Sequence, residues 1–329
     1  MTRPYAMITG TGRAVPAYAM SNHDFAAIGI DTNDEWIRER TGIRQRYISR
    51  DGETCVSLAA DASRQALARA GVSAEQVDLI VFGTCSPDKL LPAAGAEMQA
   101  QLGAVNAAAF DLNAACTSFV YGMSVAEGFI AAGSAETVLV IGAEKLSGII
   151  NWKDRNTCVL FGDGAGAAVV RKSDGTRGVL SRFMRSDGNL APLLYRPRGG
   201  SAEPMTAEML ADGSHLVTMA GRETFKHAVR SMNEALDRAL ADAGMTADDI
   251  DLLIPHQANL RIIEATAKHG GMSMDKVFVN VDRYGNTSAA SVPIALDEAI
   301  TSGRVQPGMR VMLVAFGAGF TWSSAIHQF

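Results

Sequence analysis

LARAGVSAEQVDLIV, residues 67–81, and LADAGMTADDIDLLI, residues 240–254, are two versions of one segment set 173 positions apart. Each ends in an apolar run that reads as a strand following a helix. The same offset pairs TVLVIGA (137–143) with RVMLVAF (310–316), two more apolar runs. It also lays NAACTS (113–118) over NTSAAS (286–291), so that Asn113 faces Asn286 and Cys116 faces Ala289. Three matches in one register imply two copies of a single α/β unit, dividing the chain into residues 1–173 and 174–329. DLIVFGT (78–84) and DLLIPHQ (251–257) are apolar on both faces, which predicts a sheet covered by helices on both sides. Helices are expected over 54–70, 92–102, 117–132, 221–243, 258–269 and 289–302. The Pro- and Gly-rich stretch 186–215 reads as an irregular insertion, either a loop over the active site or a surface excursion.

The 329 residues exceed one small core, and 47% hydrophobic with 20% charged content is that of a folded α/β protein. A net charge of -5 excludes a generally basic, nucleic-acid-binding surface, though not a local basic patch. The four cysteines, Cys55, Cys85, Cys116 and Cys158, have neither disulfide-framework nor zinc spacing, so no metal is expected. No run reaches the ~18 apolar residues of a membrane span, and the start MTRPYAMITGTG lacks a leader's apolar region. These features predict a cytoplasmic protein with no membrane association.

Cys116 lies between the strand-like AAFDL (108–112) and the helix-like TSFVYGMSVAEGFIAAG. A helix start helps a thiolate, through free N–H groups and the positive end of the helix dipole. The bland alternative, a small buried cysteine, suits Cys55, Cys85 and Cys158 better. His256 closes the apolar run DLLIP, at the carboxyl end of a strand, where open α/β sheets place functional groups. It could equally be a core or capping histidine. Asn286 could be an ordinary N-cap. If the halves are related by a pseudo-twofold axis, however, Cys116, Asn286 and His256 converge, which is the form of a nucleophile with its supporting groups.

DEWIRERTGIRQR (34–46), NAACTSFVYG (113–122), DRNTCVLFGDGAGAAVV (154–170), HQANLRI (256–262), VDRYGNTSAASVPIALDEA (281–299) and FGAGFTW (316–322) resemble, in order, the signatures of the β-ketoacyl-acyl-carrier-protein synthase III family. The resemblance implies a thiolase fold of layered αβαβα architecture, a homodimer, and Cys116, His256 and Asn286 as the catalytic triad. It implies an acyl-CoA and malonyl-acyl carrier protein as substrates and no cofactor, the CoA thioester being a substrate. The acyl group passes to Cys116, and decarboxylation of the malonyl group then supplies the attacking carbanion. His256 and Asn286 hydrogen-bond the malonyl thioester oxygen, and the N–H groups of Cys116 and Ala318 form the oxyanion hole.

By the same resemblance Thr32, Trp36, Arg40, Arg155, Gly221 and Asn259 line the CoA path, with Trp36 and Arg155 at the adenine. Lys226, Gln257, Arg261 and Lys268 meet the acidic carrier protein, and Leu91 and Ser118 shape the acyl pocket. From charge alone Arg155, Lys226, Arg261 and Lys268 are ordinary surface. The chain departs from the usual family pattern at Ser118, Ala318 and Ser323. Leu91 aligns with a position, often Phe, that reaches into the partner subunit's tunnel. FGDGAGAA (161–168) lacks phosphate-loop spacing and leads into a strand, so tight backbone packing explains it better. Two classes of alternative stand beside this reading. One is a specialised relative that loads an unusual acyl or aryl starter, or acylates an oxygen or nitrogen acceptor. The others are a papain-like hydrolase, which has no need of duplicated halves, and a non-catalytic carrier-binding protein, which has no need of Cys116.

Overall fold

Leu79–Gly83 is buried at all five positions and Thr137–Glu144 at all eight, so each strand requires cover on both faces. The computed structural model describes residues 5–329. A first sheet contains β1 (Ala6–Ala14), β2 (Leu79–Gly83), β3 (Ala108–Leu112), β4 (Thr137–Glu144) and β5 (Gly164–Lys172), in the order β1-β5-β4-β2-β3. A second contains β6 (Gly178–Ser186), β7 (Leu252–Pro255), β8 (Arg310–Gly317) and β9 (Thr321–Gln328), in the order β6-β9-β8-β7. Reading inward from β1, the pairings run antiparallel, antiparallel, parallel, parallel. From β6 they run antiparallel, antiparallel, parallel, and Leu253 then bridges Val277 in parallel where a fifth strand would lie.

The offset of 173 persists in detail. Short 3-10 turns at Ala74–Gln76 and Ala247–Asp249, and at Ala115–Thr117 and Ser288–Ala290, are pairs at that spacing, as are β4 and β8. Among the described residues, the non-glycine residues with positive φ are Ala115 (47°) and Ser288 (49°), again 173 apart. A left-handed backbone disfavours a side chain, so two such residues at equivalent sites mark the same sharp turn built twice.

Helices α1 (Asp34–Thr41), α2 (Cys55–Ala70), α3 (Ala94–Leu102), α4 (Ser118–Ala131), α5 (Gly221–Ala243), α6 (Leu260–His269) and α7 (Ser291–Thr301) fill the expected stretches. Thr54 caps α2 by accepting from Ser57 N–H, and left-handed Gly71 and Gly244 end α2 and α5. α2 covers the outer face of the first sheet, α5 the outer face of the second, and α4 and α7 lie between the sheets. This is an αβαβα sandwich, with a core on each side of the middle layer.

Glycine allows the closest approaches. A Cβ on Gly142 of β4 would stand 2.1 Å from the Ala289 carbonyl oxygen, and one on Gly166 of β5 would stand 2.7 Å from Pro293 Cβ. The glycine-rich run is therefore packing against the second half, with β5 antiparallel to both its neighbours. The 186–215 stretch carries a 3-10 segment (Gly188–Leu193) and a short helix (Ala207–Asp212), and it contributes Ala191, Leu194, Tyr195 and Arg196 to a cavity wall beside Cys116. No helix among the described residues is long and apolar enough to cross a membrane.

Candidate active site

Cys116 sits in the 3-10 turn that leads into α4, 7% exposed. The turn is locked by its own polar groups. Asn113 Oδ1 accepts from Ala115 N–H at 3.2 Å, Thr117 Oγ1 donates to the Ala114 carbonyl at 2.6 Å, and Ser118 Oγ donates to the Ala115 carbonyl at 2.7 Å. The end of β8 presses against it, a Cβ on Gly317 standing 2.7 Å from Cys116 N. Burial pushes the Cys116 thiol up to about 12, while hydrogen bonds from the Ser288 hydroxyl and the N–H groups of Cys116 and Ala318 pull it down. Burial outweighs the help expected from the helix start, so the resting group is the thiol. The Cys116 and Ala318 N–H groups converge on the sulfur, which is the geometry an oxyanion formed there requires.

His256 follows β7 immediately, its N–H donating to the Val314 carbonyl at 2.7 Å. Its Nδ1 lies 2.5 Å from Ser291 Oγ, the first residue of α7, and that oxygen also accepts from Gln257 N–H at 3.3 Å. The Ser291 hydroxyl hydrogen has no other acceptor among the described residues, so it goes to Nδ1 and the ring carries its proton on Nε2. Burial holds the His256 pKa down at about 3, so the ring is neutral at physiological pH. Asn286 gives its Oδ1 to Ser288 N–H at 2.9 Å, which leaves its NH₂ as the group available to a ligand. The equivalent bond in the other half is that of Asn113 with Ala115.

Two cavities meet at Cys116. One, of about 490 Å³, is apolar and lined by Leu146, Ile149, Ile150, Phe161, Leu194 and Val217 together with Ala318. The other, of about 100 Å³, holds His256, Asn286, Asn259, Gly221, Phe225 and Met219. Behind the sulfur lies a carboxylate that sequence reading does not single out. Glu144, at the end of β4 and fully buried, accepts from Ser86 Oγ, Thr84 Oγ1 (3.1 Å), Cys85 N–H (3.1 Å), Cys85 Sγ (3.3 Å), Ser288 Oγ (2.9 Å) and Ala289 N–H (3.4 Å). The sequence signal was available, as the one charged residue closing an otherwise apolar strand run.

The remaining residues fall at several distances from this centre. Trp36 on α1 has the Arg40 guanidinium 4.4 Å and the Arg155 guanidinium 5.2 Å from its ring centroid. Arg155 donates to the Asp31 carbonyl at 2.7 Å, and a purine stacked between it and Trp36 requires it to swing outward. Thr32 Oγ1 is buried without a partner. Asn259 caps α6, accepting from Arg261 N–H at 2.9 Å and donating to the Arg40 carbonyl at 2.9 Å, so it reaches the channel with its amide already engaged. Lys226, Arg261 and Lys268 are exposed on α5 and α6.

Two expectations are corrected. Gln257 is 1% exposed, donates to the Pro255 and Phe278 carbonyls and accepts from Asn280 and Val281 N–H. Its amide is saturated inside the protein and cannot meet a carrier protein. Ser118 is fully buried and lines neither cavity. Its hydroxyl closes the Cys116 turn, so it is no wall of the acyl pocket. Leu91 is 86% exposed and lines no cavity of its own chain.

Comparison with known proteins adds independent findings. The profile described as 3-Oxoacyl-[acyl-carrier-protein (ACP)] synthase III matches residues 110–188, and its C-terminal counterpart matches residues 240–329. A β-ketoacyl-[acyl-carrier-protein] synthase III of Xanthomonas campestris pv. campestris is 51% identical over 327 residues, 99% of each chain. One of Roseiflexus castenholzii is 50% identical over 322 residues, 98% of this chain and 97% of its own. The crystal structure of 3-oxoacyl-[acyl-carrier-protein] synthase III from Aquifex aeolicus VF5 superposes with a TM-score of 0.92 at 44% identity, covering 98% of this chain and 100% of its own. The sandwich is accordingly the thiolase fold, and the chain belongs to the β-ketoacyl-acyl-carrier-protein synthase III family of condensing acyltransferases.

Proposed function

We propose that, in the decarboxylative Claisen condensation this chain carries out between an acyl-CoA and malonyl-acyl carrier protein, Cys116 is the nucleophile and His256 and Asn286 serve the malonyl half. The observation that carries this reading is the position of Cys116 in the wall of both cavities. An acyl group on the sulfur is housed in the larger, apolar one. The channel with His256 Nε2–H and the Asn286 NH₂ then stays open for the second substrate. Both groups donate, as an enolate oxygen requires, and the N–H groups of Cys116 and Ala318 serve the tetrahedral oxyanions, each such donor being worth about 3 kcal/mol.

CoA enters past Trp36, Arg40, Arg155 and Thr32, along Asn259 and Gly221. Lys226, Arg261 and Lys268 form the docking patch for the carrier protein, whose acidity suits a local cationic surface on a chain of net charge -5. A homodimer is proposed with it. So is a reducing, cytoplasmic location, which four unpaired cysteines suit. The halves 1–173 and 174–329 are proposed as a duplication on the strength of the repeated turns.

Mass spectrometry of the intact protein after mixing with acetyl-CoA tests the central claim. The native chain gains one acyl group, and Cys116→Ser gains none because a hydroxyl is a far weaker nucleophile at neutral pH. Labelling that survives the substitution moves the nucleophile elsewhere. An unusual-starter relative is separated in the same experiment by offering branched and aryl thioesters beside acetyl-CoA.

A further inference from the structure

We propose that the proton of the Cys116 thiol leaves through the Ser288 hydroxyl to Glu144, which stores it during the acyl-enzyme stage and returns it when the product departs. The proposal rests on Cys116 being the nucleophile. Three observations lead to it. First, the thiol is buried and protonated at rest, so attack on a thioester requires a proton acceptor within reach. Second, His256 is a poor candidate. Its Nδ1 is bonded to Ser291, and its Nε2 already carries the ring proton. Third, Ser288 touches both sides: its hydroxyl is a hydrogen-bond partner of the Cys116 sulfur and donates to Glu144 Oε1 at 2.9 Å. A hydroxyl between a thiol and a carboxylate can accept from one as it gives to the other.

Glu144 is equipped for this. Every contact made to its oxygens is a donor and none is an acceptor, which holds it as the carboxylate. Burial at the same time raises its proton affinity above that of an ordinary glutamate. The titratable groups facing it are the thiols of Cys55, Cys85 and Cys116, and no cation competes. Its chain neighbour Lys145 turns its ammonium to the Glu53 carbonyl.

The step balances. As the Cys116 S–C bond forms, the sulfur proton passes to Ser288 Oγ and the Ser288 proton to Glu144. The C–S bond to CoA breaks, and the CoA thiolate takes its proton from solvent through the channel. In condensation the carbanion expels Cys116 as a thiolate, which recovers the stored proton by the reverse path. Ser288 is then a catalytic residue, and Glu144 acts through it.

The test uses Ser288→Ala and Glu144→Gln in the full chain. Alanine occupies the equivalent left-handed position in the other half, at Ala115, so the backbone tolerates it. Acylation of Cys116 by acetyl-CoA is followed by intact mass across pH, and malonyl-acyl carrier protein decarboxylation is measured separately. Both variants are expected to acylate about 10²-fold more slowly at neutral pH. Their rates should rise in proportion to hydroxide, where the native rate is flat through neutrality, and decarboxylation should persist. A native-like pH profile in either variant overturns the relay. Loss of decarboxylation in step with acylation also overturns it, by showing the network to be merely structural. A native chain that is not acylated at Cys116 overturns both the relay and the reading it rests on.

Discussion

Ser291 and His256 are joined by a bond whose direction decides what the imidazole can do. With the hydroxyl hydrogen on Nδ1, Nε2 is a donor. Were the hydroxyl absent, either tautomer would be open and the half with a bare Nε2 would repel an enolate oxygen. Ser291→Ala is therefore expected to lower kcat for malonyl-acyl carrier protein decarboxylation about tenfold, with KM little changed and acylation of Cys116 untouched. A threonine at the same position keeps the hydroxyl and should restore most of the rate; equal defects in the two variants would reduce Ser291 to packing. The triad was legible in the sequence because its residue types and flanking patterns carry the chemistry. Glu144, Ser288 and Ser291 were not, because their roles exist only as contacts across 34 to 144 or more positions. Gln257 misleads for the converse reason: beside a catalytic histidine it looks functional, and only its four backbone partners show it to be a strut.

At the scale of elements, β4 and the turn Ser288–Ala290 are pressed together at Gly142, and this contact ties the base of the Asn286 loop to the sheet that carries Glu144. A methyl group there meets the Ala289 carbonyl at 2.1 Å, a distance that backbone atoms must move to relieve. Gly142→Ala should cost about 1–3 kcal/mol of stability, and activity should fall further than the fraction unfolded explains, since Asn286 and Ser288 shift with the turn. Gly148→Ala is the control, having nothing within 4 Å of its added Cβ. Thermal unfolding and kcat measured on both decide it; equal, small effects would mean that the turn adjusts freely. Element boundaries were largely readable from the sequence because two copies of one unit supply two independent readings of each helix and strand. What had no second copy was harder. The 186–215 stretch has no counterpart in the first half, and its place over the acyl cavity depends on packing that no local pattern encodes.

For the whole molecule, the surface of a single chain is incomplete. Leu90 and Leu91 are 88% and 86% exposed, and the edge strand β3 leaves one side without a partner. Two adjacent leucines held in water each forgo roughly 1.5–3 kcal/mol of burial, which a second subunit would recover. In the proposed homodimer Leu91 enters the partner's acyl cavity and sets its depth. That cavity, about 490 Å³ in one chain, lies within the range of roughly 300–1,000 Å³ in which small ligands are held. Leucine is shorter than phenylalanine and not planar, so it should leave room for starters bulkier than acetyl. The chain is expected to accept butyryl- and isobutyryl-CoA as well as acetyl-CoA, and Leu91→Phe should shift the preference toward acetyl by a few-fold to about a hundredfold, the range one or two methylene-sized contacts can discriminate. Acylation rates for acetyl-, butyryl-, isobutyryl- and hexanoyl-CoA in both forms give the answer, with sedimentation confirming that both are dimers. An unchanged ranking in a dimeric Leu91→Phe protein would take Leu91 out of the cavity and leave selection to the wall of Ile149, Ile150, Leu194 and Val217 that each chain supplies for itself.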